Sequence, residues 1–216
     1  MNKDWSEKNK EIPKLLSKEA TFGEAIGKLI EFKEELLRQI TLIVKDYPEE
    51  AFYQMPFAGA KGYHSKTLAY SIWHIFRIED IVAHEMIAED EQILFDKKYN
   101  KKTASPIITT GNELEGKDIA EFSKKQNVQE LYRYAKVVKE STDRILKKLQ
   151  YKDLKRKFGE DTKQKLIESK CVSEDENAFW LIDYWCGKDL KGLIQMPFSR
   201  HWIMHIEAML RIAKRL

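Results

Sequence analysis

Two cysteines, five prolines and nine glycines in 216 residues leave this chain with few residues that staple or interrupt structure. Cys171 and Cys186 are too few for a disulfide scaffold and too far apart for a CxxC pair, so both are expected as reduced thiols, buried or partly buried. No stretch approaches the roughly 18 apolar residues of a membrane span. The N-terminal MNKDWSEKNKEIPKLL lacks the apolar centre of a signal peptide, so a cytoplasmic location without membrane contact is expected. A charge excess of one sign is missing too. With 38 Lys+Arg against 35 Asp+Glu, the formal charge of +3 supplies no field for nucleic acid. The basic runs DKKYNKK at 96–102 and KRK at 155–157 read as solvated loops.

What is present is core material: 43% hydrophobic residues, with Leu, Ile, Ala, Lys and Glu prominent, as in helical proteins. An all-α fold follows. No linker separates two cores, so one domain over 1–216 is expected, with 1–20 as an arm or short helix. In 21–46, Phe22, Ile26, Leu29, Ile30, Leu36, Leu37, Ile40 and Ile43 recur at helical spacing, with Thr21 as N-cap and Glu24 completing a capping box. Pro48, Pro56, Gly59 and Gly62 mark a loop, after which Ser65 is placed to cap a helix over about 66–88. The polar stretch 96–118 precedes a short helix at 117–126 and a long one at 128–149. A helix, or short strands near 156–172, could occupy 151–174. A short aromatic helix from 176 stops at Gly187, and Pro197 or Ser199 opens a last helix to about 215.

Two histidines stand four apart in QMPFSRHWIMHIEAML, residues 195–210. At about 100° per helical residue they share one face one turn apart, the spacing of half a metal site and equally of two ordinary helix histidines. A third candidate, His74, lies on an otherwise apolar stripe with Ile78 and Ile81, and His201 and His205 sit above Ala208 and Ile212 on theirs. Both helices therefore aim imidazole inward, and Tyr70, Ile78 and Ala208 are candidate pocket residues. Tyr70 could bond a ligand of the ion or pack in the core. His84 is expected at the surface and His64 in a solvated loop, and Glu85 stands about three turns too far along to share an ion with His74. Glu79, Asp80 and Glu207 project away on the wheel, as supporting or surface residues, while Trp73 and Trp202 read as packing or dimer-interface residues. The tetrapeptide QMPF occurs at 54–57 and again at 195–198, each time ahead of a histidine-bearing helix, and each copy could form a similar entrance loop.

SKTLAYSIWHIFRIED resembles the second helix of DinB/YfiT-like proteins, and SRHWIMHIEAMLRI resembles their HxxxH helix; the likeness spans about 21–216. The resemblance implies a four-helix bundle with up-down-down-up connectivity, extra short helices in long crossovers, and often a homodimer. It also implies that His74, His201 and His205 hold a divalent ion such as zinc or nickel. Ile206-Glu207-Ala208-Met209 stands where the family often has HHRGQ, and the segments 90–127 and 150–195 are longer than in compact members. The function implied is metal-dependent chemistry on a small molecule, either thiol-dependent transfer or hydrolysis. The competing expectation is a helical dimer, metal-bound or metal-free, that acts without catalysis as a stress-related binding protein.

Overall fold

The computed structural model describes residues 2–216. Its helices are α1 (Lys3–Leu15), α2 (Phe22–Asp46), α3 (Leu68–Asp80), α4 (Ile93–Asp96), α5 (Tyr99–Lys102), α6 (Lys117–Lys124), α7 (Val128–Lys148), α8 (Glu160–Glu168), α9 (Glu176–Cys186), α10 (Leu190–Gln195) and α11 (His201–Ala213). Among the described residues there is no strand. An isolated antiparallel bridge joins Lys157 to Asp189, so α8 replaces the short strands expected as an alternative near 156–172. No helix there is long and apolar enough to cross a membrane. The run at 96–102 is not a plain loop: it forms α5, and Tyr99 is buried.

The apolar face of α2 contacts α7 and α11, and α3 contacts the same two helices, so the four close a ring around the core. Leu29, Leu36 and Ile40 are fully buried there, each side chain worth about 1.5–3 kcal/mol relative to exposure. The N-terminal segment is no loose arm. Helix α1 lies on α2, where the Trp5 indole donates to Glu35 Oε1 at 2.8 Å.

One expected cap is replaced, and the other keeps its position without the capping bond. Thr67, not Ser65, opens α3 by accepting from the Tyr70 amide at 3.0 Å, and Ser65 turns its hydroxyl back to the Gly62 carbonyl. Thr21 makes no side-chain cap; its hydroxyl donates to the Leu15 carbonyl at 2.7 Å, binding the preceding turn to α2. After Asp80 the chain continues as a π-helix, Ile81–Ala88. The wider i→i+5 turn shifts every later side chain off the α wheel. His84 is buried, with Nδ1 2.5 Å from Asp90 Oδ1, rather than at the surface, because this segment is enclosed on nearly every face.

The QMPF copies differ in backbone. Residues 54–57 are extended and then turn, whereas Met196–Arg200 is a π turn that leads directly into α11. They do not form equivalent entrance loops.

A buried polar chain ties the four long helices together. Lys33 (α2) lies 2.8 Å from Glu79 Oε1 (α3) and 3.4 Å from Asp143 Oδ1 (α7), and the Trp202 indole (α11) donates to Glu79 Oε2 at 2.7 Å. Burial pushes the Glu79 carboxyl upward, against the pull of Lys33. Glu79 is thus no surface residue, and Trp202, fully buried, is not available to a dimer interface. Asp80 is equally internal: it accepts from the Ile93 and Leu94 amides at 2.9 and 3.0 Å and from the Tyr134 hydroxyl at 2.7 Å, anchoring α4.

Candidate metal centre

His74 comes from the middle of α3, and His201 and His205 from the first two turns of α11. Their ring centroids stand 5.0 Å (His74–His201), 4.7 Å (His74–His205) and 4.6 Å (His201–His205) apart. One ligand nitrogen from each lies within 4.8 Å of the others, all three rings are buried, and the donor group contains no carboxylate. Such a group could hold a metal ion.

Its orientation comes from a loop. Four consecutive carbonyls, at 108–111, accept from side chains of α3: Ile108 from Arg77 Nε at 2.9 Å, Thr109 from the Trp73 indole at 2.9 Å, Thr110 from His74 Nδ1 at 2.8 Å and Gly111 from the Tyr70 hydroxyl at 3.0 Å. A carbonyl can only accept, so His74 Nδ1 carries the proton and the Nε2 lone pair is left for an ion. Opposite it, His201 Nδ1 and both ring nitrogens of His205 are buried with no hydrogen-bond partner among the described residues. Buried polar atoms are normally paired, and a cation shared by the three rings would take one nitrogen from each, so it would satisfy one of the two orphans on His205 and leave the other.

Protonation is disfavoured throughout. Burial brings His74 down to about 4, with Lys66 pushing the same way and the Thr110 bond opposing. His201 and His205 fall well below the usual range, through burial first; His74 then adds to the fall at His201, and His201, His74 and Lys66 add to it at His205. Neutral imidazole is the form that ligates metals.

Tyr70 stacks on His74, with ring centroids 5.5 Å apart and planes 10° apart, while its hydroxyl is committed to Gly111. It supports the ring and does not point a hydroxyl at the ion. Burial holds that phenol well above its ordinary range.

Two cavities meet at the histidines. The first, about 250 Å³, is aromatic and apolar; Ile78, Trp180, Leu181, Tyr184, Trp185 and Met196 line it. The second, about 570 Å³, is bordered by Lys61, Ser65, Lys66, Tyr70 and Glu115. Tyr63, His74, Asn112 and His205 line both. Ala208 is buried and borders neither. His64 stays in its loop, half-buried, 3.2 Å from Arg211 Nη1. Glu85 lies on the π-helix and is engaged by Gln92, away from the three rings.

Sequence reasoning missed Thr110, Asn112, Lys66 and Tyr63. The Tyr63 ring meets the His205 ring edge-on at 4.8 Å, and the Thr110 hydroxyl donates to Asn112 Oδ1 at 2.8 Å. A carbonyl acceptor has no sequence signature, so Thr110 carried no signal; the KGYHSK run before α3 was the one hint that polar groups crowd this mouth.

Fold and site define the class: an all-helical protein with a buried three-histidine group that could hold a metal ion. No protein-family model matches the chain, and no curated protein matches it either.

Proposed function

We propose that this chain is a divalent-metal-dependent enzyme of the DinB/YfiT type, acting on a small molecule by hydrolysis or thiol-dependent transfer. In this reading α2, α3, α7 and α11 form a four-helix bundle with up-down-down-up connectivity. The ring of contacts among those helices and the long crossovers between them support it. His74, His201 and His205 are the ligands, zinc or nickel the ion, and a cytoplasmic homodimer the working form, without nucleic acid or membrane partners.

The observation that carries the proposal is the set of unpartnered imidazole nitrogens facing one another where two cavities meet. An ion held by three protein donors keeps a position open, lowers the pKa of a bound water or thiol and polarises a substrate oxygen. The chain's own residues have distinct tasks. Thr110 fixes the proton on His74 Nδ1, the stacked Tyr70 holds the ring plane, and the apolar walls around Trp185 and Met196 limit water at the rings.

A non-catalytic binding dimer would be favoured by a fourth protein donor closing the site, and the donor group holds three. Elemental analysis of untagged protein, with His74→Ala and His201→Ala alongside, tests the reading. It requires about one divalent ion per chain in the parent and loss in both variants. A parent that stays metal-free after incubation with zinc, nickel and manganese overturns it.

A further inference from the structure

The two cavities at the histidines differ in chemistry, and Lys66 lines the wider of them. Its ammonium lies 4.7 Å from the centroid of the Tyr70 ring, the same ring that stacks on His74. Lys66 is half-buried and has no hydrogen bond or ion pair among the described residues. Glu115, exposed and lining the same cavity, attracts the Lys66 ammonium through space without a direct contact, and accepts from Asn177 Nδ2 at 3.2 Å. At the junction itself Asn112 is held through its Oδ1 by Thr110, which leaves its amide N–H groups to donate elsewhere.

The apolar chamber is small. At about 250 Å³ it falls below the roughly 300–1,000 Å³ of a site that takes a whole drug-sized ligand, so it fits one ring system and sends the rest of a ligand past the histidines. Trp180, half exposed, stands edge-on to Tyr184 at 5.7 Å, and both side chains line the chamber. The other cavity offers an unpaired ammonium and an amide donor. Three neutral donors add nothing to offset the charge of a divalent ion, which further favours a ligand that brings its own negative charge.

We propose that the substrate is an amphipathic anion: an aromatic or branched apolar body seated among Trp180, Tyr184, Trp185 and Met196, and a carboxylate- or phosphate-type head held by Lys66 and Asn112, with the reacting bond beside the three histidines. This assignment rests on the metal-dependent reading of the same site and specifies its substrate class.

Calorimetric titration of the zinc-loaded and zinc-free chain with 2-naphthoate, 2-naphthylmethanol and acetate tests it. The naphthoate is expected to bind about tenfold or more tighter than either partial ligand, in keeping with a hydrogen-bonded charge contact. Lys66→Met, which keeps the stem over Tyr70, should remove that advantage and leave 2-naphthylmethanol unchanged. Trp180→Ala, at a half-exposed position, should weaken both naphthyl ligands. Naphthoate binding that ignores Lys66→Met, or naphthyl binding that ignores Trp180→Ala, overturns the assignment. Zinc uptake measured on the same samples separates the two readings. Bound zinc with no discrimination among the ligands removes the amphipathic anion alone, whereas no zinc uptake removes the metal-dependent reading on which it rests.

Discussion

His74 donates its Nδ1 proton to the carbonyl of Thr110 across 2.8 Å, and this bond decides which nitrogen of the ring faces His201 and His205. Thr110 belongs to a loop whose other carbonyls hold Tyr70, Trp73 and Arg77, so the ring is aimed by a strap running along α3. The strap depends on one glycine.

Gly111 has φ +80°, and a Cβ there would stand 3.2 Å from Tyr70 Cε2. Gly111→Ala is therefore expected to cost about 1–2 kcal/mol from the left-handed backbone alone, and to lower metal affinity about 10-fold or more by disturbing the His74 support. Urea denaturation and a competitive zinc titration check the two effects; unchanged zinc affinity would show that the strap does not orient the ligand.

Orphaned imidazoles are a burden to the metal-free fold. His205 buries two unpaired ring nitrogens, so His205→Leu should raise the stability of the metal-free protein by about 1–3 kcal/mol while abolishing zinc uptake. Chemical denaturation in chelator, compared with the parent, is the check. A loss of stability instead would mean that the ring nitrogens are satisfied without an ion.

The same burial sets a pH dependence. The His74 folded value, about 4, lies below its ordinary 6.5, so the unfolded chain binds protons that the folded chain refuses. The His74 contribution to the stability of the metal-free protein is then full above about 6.5, declines as pH falls, and is lost below about 4. The urea midpoint measured in chelator from pH 7.5 to 4.5 should fall, and His74→Gln should show a shallower fall than the parent.

Lys33 and Glu79 bind helices that are distant in sequence. Lys33→Met leaves the buried Glu79 carboxylate with only the Trp202 indole, and a loss of about 3–5 kcal/mol is expected. Adding Glu79→Gln should restore part of it, since a neutral amide can still accept from Trp202. A double-mutant cycle on unfolding free energies measures the coupling; additive losses would show that the pair does not act as a unit.

Much of the secondary structure was legible because hydrophobic periodicity is a local property. The spacing of Ile26, Leu29, Leu36 and Ile40 is enough to mark α2, and Gly187 marks the end of α9. The caps were less legible. Ser65 and Thr67 are both competent hydroxyls, and what selects Thr67 is contact with the Ser123 hydroxyl of α6 at 2.6 Å. The α wheel misplaced His84 because a wheel assumes one solvated face, and α3 with the π-helix after it is buried on nearly every face.

By itself the sequence determined that the chain is helical and that His201 and His205 share a face, because a four-residue spacing acts through the pitch of a single helix. Only the tertiary structure decided that His74, 127 residues before His201, meets them, that Glu79 turns inward to Lys33 and Trp202, and that backbone carbonyls of a polar loop aim the first histidine. Those outcomes come from packing between helices, of which the apolar stripe around His74 gives only the inward direction, and from backbone acceptors that every residue carries alike.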